Sequence, residues 1–178
     1  MSVPAQDGGL LIVHTGNGKG KTTAALGLVL RACGHGQRAC VVQFIKSPDT
    51  VRGEEAAARS LGVAWHVVGD GFTWRSDDPE ATAQRGRDGW VLAREAISSG
   101  AYRLVVLDEF TYPLRYGWLD ADEVVDWLVR QRPPSVHVVV TGRDAHPALL
   151  AGADLVTEMR EVRHPYHRGV AAQAGIEF

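Results

Sequence analysis

An apolar run ending at His14 passes into Thr15-Gly16-Asn17-Gly18-Lys19-Gly20-Lys21-Thr22-Thr23 and then directly into a helical pattern. Few stretches restrict a fold more. The alternating glycines let the backbone curl so that successive N–H groups turn inward, the geometry that cradles phosphate oxygens. The helix start adds its partial positive charge to the same spot. Lys21 is placed to meet phosphates as a point charge, and the Thr22 hydroxyl to ligate Mg²⁺ or Mn²⁺. The general pattern is G-x-x-x-x-G-K-[ST]; Thr15 stands at its first position, so this is a variant. Candidate ATP-binding residues are Thr15, Gly16, Asn17, Gly18, Lys19, Gly20, Lys21, Thr22 and Thr23.

Downstream, apolar runs alternate with helical patterns. Leu10–His14, Arg38–Phe44, Val63–Val68, Arg103–Leu107 and Val136–Thr141 read as strands, with Leu155–Met159 a last strand or edge. Lys21–Cys33 reads as a helix ended by Gly34 and Gly36; Glu54–Leu61, Pro79 to about Ser99, and His146–Ala151 read as further helices. Asp120–Arg130 completes the set, capped by Asp120 and stopped by Pro133-Pro134. Near-continuous apolar strands alternating with helices predict an α/β fold with a mostly parallel sheet covered on both faces. With the phosphate loop, this is a three-layer P-loop NTPase-like (RecA-like) domain spanning residues 1–178. Ligands of such sheets bind at the carboxyl ends of the strands, just after His14, Phe44, Val68, Leu107 and Thr141.

The 178 residues carry 19 Lys+Arg against 21 Asp+Glu, a net charge of -2. That balance argues against nucleic acid as partner and against a polybasic membrane surface. No run nears the ~20 apolar residues a span needs, and the N-terminus lacks signal-peptide character, so a cytoplasmic location is expected. Cys33 and Cys40 have neither disulfide-framework nor zinc spacing and read as small core residues. The only lysines are Lys19, Lys21 and Lys46, two of them inside the glycine-rich loop.

Leu104-Val105-Val106-Leu107-Asp108-Glu109 is an apolar strand ending in two carboxylates. Beside a phosphate loop that position faces the metal, making Thr22, Asp108 and Glu109 candidate ligands. Lys21 and Glu109 are the candidate catalytic residues, Glu109 completing the metal shell or acting as a base. The guanine-reading Asn-Lys-x-Asp motif is absent, which points to adenine. Three other segments stand out: Gln43-Phe44-Ile45-Lys46, Gly69-Asp70-Gly71-Phe72-Thr73-Trp74 and Thr141-Gly142-Arg143. Aromatics on a glycine-bearing loop offer a platform for a large flat ligand. From these residues alone, an Mg²⁺-ATPase or kinase and a non-catalytic nucleotide-binding module both stand open.

Taken together, the motifs resemble the phosphate-loop type of ATP:corrinoid adenosyltransferase. The resemblance runs in order through Thr15–Thr23 with Ala24-Ala25, Arg31 to Gly36, Gln43–Lys46, Gly53-Glu54, Gly71–Trp74, Leu107–Glu109 with Thr111-Tyr112, Thr141–Arg143, Ala153-Asp154, Val156–Met159, and Gly169 to Phe178. It covers nearly the whole chain. The resemblance implies transfer of the 5′-deoxyadenosyl group of ATP to the Co(I) of a corrinoid, with triphosphate released, in cobalamin synthesis or salvage. ATP and corrinoid would be the substrates, a reduced flavoprotein the electron donor, and the assembly a homodimer. Phe72 and Trp74 would bind the corrinoid and exclude its lower axial ligand. Family members often have Lys-Gly after Gln-Phe-Ile, where this chain has Lys46-Ser47-Pro48. Some also carry a longer N-terminal helix over the site; with nine residues before the first strand, that cover is expected to be largely missing here. Asp144-Ala145-His146 lacks the glycine of a corrinoid-ligating Asp-x-His-x-x-Gly motif, and no His ligation is expected.

Overall fold

Six short strands, the central ones buried along their length, set the layers of the molecule. The strands are β1 (Leu11–Thr15), β2 (Ala39–Gln43), β3 (Ala64–Val67), β4 (Leu104–Asp108), β5 (His137–Thr141) and β6 (Leu155–Glu158). The computed structural model describes residues 8–46, 52–69 and 78–177. All six strands pair in parallel, in the order β3-β2-β4-β5-β1-β6. In β4, Val105 and Leu107 join one core while Leu104 and Val106 join the other; in β1, Leu11 and Val13 part from Ile12 in the same way. This period of two sends neighbouring side chains to opposite faces, which both need covering.

Helices α1 (Lys21–Gly34) and α2 (Gly53–Ser60) cover one face through Ala25, Val29, Ala32 and Ala58. Helices α3 (Pro79–Ser98), α4 (Thr111–Arg115), α5 (Ala121–Asp126) and α6 (Pro147–Gly152) contribute to the other through residues such as Ile97, Leu114, Val124 and Leu149. Several helices start as the sequence demands. Asp78 caps α3 by accepting from the Ala81 N–H at 3.0 Å, with Pro79 in the first turn. Asp120 caps α5 by accepting from Glu123 N–H at 3.0 Å. His146, one residue before Pro147, accepts from Ala148 N–H at 3.3 Å at the start of α6.

The structure departs from the sequence expectations in three places. The helix expected over Asp120–Arg130 is α-helical only to Asp126, then widens into a π-type turn over Trp127–Gln131. The Arg132 N–H reaches back to Trp127 O, five residues away, at 3.0 Å. In this arrangement Trp127 stands edge-on to Trp90 at 5.5 Å and Leu128 stays fully buried. Helix α4 is unexpected. Five residues with Pro113 inside carry little helical signal, and Phe110 provides no side-chain cap. A 3₁₀ turn over Pro165–Arg168, capped by His164, is unexpected as well. Among the described residues β6 is an edge strand paired with β1, and Cys40 is a core residue while Cys33 is half-buried.

Strand order positions the site. β5 lies between β1, which feeds the glycine loop, and β4, which ends in Asp108. Gln43 on β2 pairs in register with Asp108 on β4, so their side chains leave the sheet together. Helix α3 comes close to the ends of β2 and β3 because Gly89 has no side chain. A Cβ there would lie 2.7 Å from Val68 Cγ2 and 2.8 Å from Phe44 Cε1.

Candidate active site

The carboxyl ends of β1, β2, β4 and β5 converge on one buried carboxylate, Asp108. It is fully buried, and protein donors meet both of its oxygens. Oδ1 accepts from Thr22 Oγ1 at 2.8 Å and from Thr141 Oγ1 at 2.7 Å. Oδ2 accepts from Gln43 Nε2 at 2.9 Å and faces Lys46 Nζ at 3.4 Å. A carboxylate has about four lone-pair directions, so this set nearly saturates it. An unpaired buried carboxylate would be costly; charge-assisted donors from the ends of β2 and β5 and from the α1 start offset that cost. Lys46 also lies 3.7 Å from Glu54 on α2, linking the end of β2 to that helix.

Glu109, the next residue, is placed differently. Its backbone sits at φ 60, a left-handed conformation costing a non-glycine residue about 1–3 kcal/mol. Its N–H donates to Thr141 Oγ1 at 2.9 Å, which helps hold the turn. Its Oε2 is buried and has no hydrogen-bond partner among the described residues. Burial, and then the neighbouring Asp108, push its carboxyl above the ordinary value of 4.5, against the pull of Lys46, Lys21 and Arg143. Thr141 thus serves both acids, accepting from one backbone and donating to the other side chain.

The glycine loop has its own internal order. Lys21 is buried, and its Nζ donates to Gly16 O and Gly18 O, each at 2.7 Å. Burial pushes its pKa down while Glu109 pulls it back up. Gly20 is at φ 110, a conformation open to glycine, and caps α1 without any side-chain bond. No acidic residue lies in the first turn of α1. The N–H groups there have no side-chain acceptor among the described residues, the condition under which a helix start takes an anion. Thr15 is buried and accepts from Ala145 N–H at 3.2 Å; Asn17 and Thr23 are exposed, and Lys19 pairs with Glu177.

Around these lie groups that motif reading flagged only as segments or passed over. Gln43 and Lys46 are bound to Asp108 as described, and Gln43 Oε1 is buried without a partner among the described residues. Gly142, at φ 145, lets β5 pass close to the start of α4; a Cβ there would meet Thr111 Oγ1 at 1.9 Å. Arg143 follows, and its charge acts on Lys21, Glu109 and Tyr112. Burial raises the Tyr112 phenol, and Glu109 adds to it. His14 is buried on β1 with neither ring nitrogen partnered among the described residues, and burial lowers its pKa. Phe72 and Trp74 lie outside the described residues.

Chemically, Lys21, Lys46 and Arg143 bring positive charge to the α1 start, beside a carboxylate with an oxygen that has no partner among the described residues. Thr22, Asp108 and Glu109 are all hard oxygen donors. No group of three or more His, Cys, Asp or Glu side chains able to hold a metal occurs among the described residues. A cation here would therefore draw part of its shell from a ligand's oxygens, the habit of Mg²⁺ at nucleotide phosphates. Among the described residues no helix is long and apolar enough to cross a membrane.

Comparison with known proteins agrees in scope along the chain. The sequence model of the family described as ATP:corrinoid adenosyltransferase BtuR/CobO/CobP matches residues 7–178. A corrinoid adenosyltransferase of Pseudomonas aeruginosa is 44% identical over 172 residues, covering 96% of this chain and 84% of that protein. One of Escherichia coli K12 is 43% identical over 170 residues, covering 96% of this chain and 86% of its own. One of Salmonella typhimurium is 41% identical over 173 residues, covering 97% and 87%.

Proposed function

The chain belongs to the ATP:corrinoid adenosyltransferase family, and from that premise we propose how its residues carry out adenosyl transfer. The observation that carries the proposal is the convergence on Asp108 of Thr22 from the glycine loop, Gln43 and Lys46 from β2, and Thr141 from β5. It ties the anion-binding loop to the acid-ended strand as one rigid unit.

In this reading Thr15–Thr23 hold the triphosphate of ATP. Lys21 exchanges its carbonyl partners, Gly16 and Gly18, for phosphate oxygens. Lys19 supplies a second ammonium. Co(I) of the corrinoid substrate is already a strong nucleophile, so no protein base is required. The cobalt electron pair forms the Co–C bond to C5′, and the C5′–O bond breaks with its electrons going to the triphosphate. The protein's task is to orient ATP and stabilise that leaving group, which is positioning plus electrostatics. Glu109 would then serve by helping to hold a cation at the phosphates rather than as a proton acceptor.

Thr22, Asp108 and Glu109 fit Mg²⁺ or Mn²⁺. Glu109 Oε2 is a buried acceptor without a donor among the described residues, whereas Asp108, nearly saturated by donors, acts chiefly by orienting the Thr22 oxygen. When bound, the cation supplies neutralisation of the charge that gathers on the leaving triphosphate. Phe72 and Trp74 would cover the lower face of the corrinoid. We further propose one domain over residues 1–178, a homodimer, a reduced flavoprotein as electron donor, and action in the cytoplasm.

Calorimetric titration with ATP and Mg²⁺ tests this assignment. Wild type should bind ATP, and Lys21→Ala and Thr22→Ala should each lose binding or turnover. Full activity in either variant would refute the phosphate-loop assignment. In the ATP-bound protein, four-coordinate Co(II) should form with wild type and not with Phe72→Ala, Trp74→Ala; its persistence in that variant would remove the two aromatics from the corrinoid site.

A further inference from the structure

Beyond β6 the chain runs on beside the glycine loop. The Gly18 N–H donates to Met159 O at 2.7 Å, so one loop N–H is already used by this segment. The approach is tight: a Cβ on Gly16 would meet Met159 O at 2.5 Å, and one on Gly18 would meet the Arg160 carbonyl carbon at 2.7 Å. The far end of the same segment returns to the loop. Gly175, at φ 79, allows a turn in which the Ile176 and Glu177 N–H groups donate to Gln173 O at 3.2 and 2.8 Å. That turn aims Glu177 at the loop, and its carboxylate pairs with Lys19 Nζ. Glu177 is mostly buried in this position, with its side chain 17% exposed against 50% for Lys19. The second ammonium of the phosphate loop is thus held by an internal anion.

This arrangement bears on a difficulty in the proposed reaction. Breaking the C5′–O bond gives the triphosphate an additional terminal charge. A loop built to stabilise the leaving group holds the released product more strongly than the substrate, and release then limits turnover. Resting on the nucleotide reading given above for Thr15–Thr23, we propose that Glu177 competes with triphosphate for Lys19 and thereby weakens retention of the product. In the free protein the carboxylate occupies the ammonium; ATP or triphosphate displaces it; its return favours departure.

The pair is partly exposed, so the effect is modest. Exposed ion pairs correspond to an affinity change of up to about fivefold. The test is calorimetric titration of the full chain with inorganic triphosphate and Mg²⁺, using wild type, Glu177→Gln, Lys19→Ala and the double variant. Glu177→Gln should bind triphosphate about two- to fivefold more tightly than wild type. With Lys19 absent, the Glu177→Gln change should have no effect, because the two residues act as one pair. Equal or weaker binding by Glu177→Gln would overturn the proposal. So would a gain that persists without Lys19, which would make Glu177 a general repulsive charge. If none of the four folded proteins binds triphosphate, the phosphate-loop assignment itself fails and the competition with it, a pattern distinct from either of the others.

Discussion

The Thr141 hydroxyl lies 2.7 Å from Asp108 Oδ1 and donates to it, while accepting the Glu109 N–H at 2.9 Å. One side chain from β5 thereby fixes an acid's charge and the next acid's backbone. It can do so because β5 is inserted between β1 and β4. Thr141→Val keeps the shape and removes both bonds. It should lower stability by about 1–3 kcal/mol, since a buried acceptor loses a donor and a buried N–H loses its acceptor. Urea unfolding measures this; Thr141→Ser should stay close to wild type. An unchanged midpoint for the valine variant would mean that neither bond matters.

Glu109 should trade stability for function. Burial and Asp108 raise its carboxyl above 4.5 in the folded protein. A raised acid holds its proton better when folded. Its favourable contribution is complete below the ordinary carboxylate value and is lost as pH rises through the folded one. Glu109→Gln removes that loss. The variant should match wild type near about pH 4 and be the more stable at about pH 8, while losing turnover. Unfolding midpoints across that range check the sign; a variant less stable than wild type at the higher pH would contradict it.

Lys21 should not tolerate arginine. Its Nζ sits between Gly16 O and Gly18 O inside the loop, space that suits a compact ammonium and not a planar guanidinium. Lys21→Ala and Lys21→Arg should each cost at least ~10²-fold in kcat/KM, the scale of removing a main charge stabiliser. Steady-state rates with ATP decide it. Near-normal rates for the arginine variant would show that charge alone suffices.

Gly142→Ala should be among the most damaging single-methyl changes. The new Cβ would collide with Thr111 Oγ1, and φ 145 is hostile to alanine in any case. The strain falls between Thr141 and Arg143, so loss of both stability and turnover is expected. Thermal unfolding with activity on the same preparation measures it. A fully active, stable variant would contradict the close approach of β5 to α4.

Much of this site is legible in the sequence because its signals are local. Gly16, Gly18, Gly20, Lys21 and Thr22 lie within one turn of chain, and Asp108-Glu109 ends a conspicuous apolar run. Strand ends, the Pro79 start of α3 and the Asp120 cap are legible for the same reason. The grouping on Asp108 is not. Gln43 is 65 residues away and Thr141 33 away, and only strand order joins them. Their segments stand out in the sequence, yet nothing local says that they share one carboxylate. Helix α4 escapes because five residues with an internal proline have too little helical pattern to detect. The π-type turn at Trp127 also escapes, since its spacing shows only in the bond from Arg132 back to Trp127.

The products distinguish the central claim from its rivals most directly. The full chain is incubated with ATP, Mg²⁺ and chemically reduced Co(I) corrinoid, and the phosphorus-containing products and the corrinoid are identified. Adenosyl transfer predicts intact triphosphate and an adenosylated corrinoid in equal amounts. ADP with inorganic phosphate, and a corrinoid left unalkylated, would contradict it and mark the site as one for phosphoryl chemistry instead.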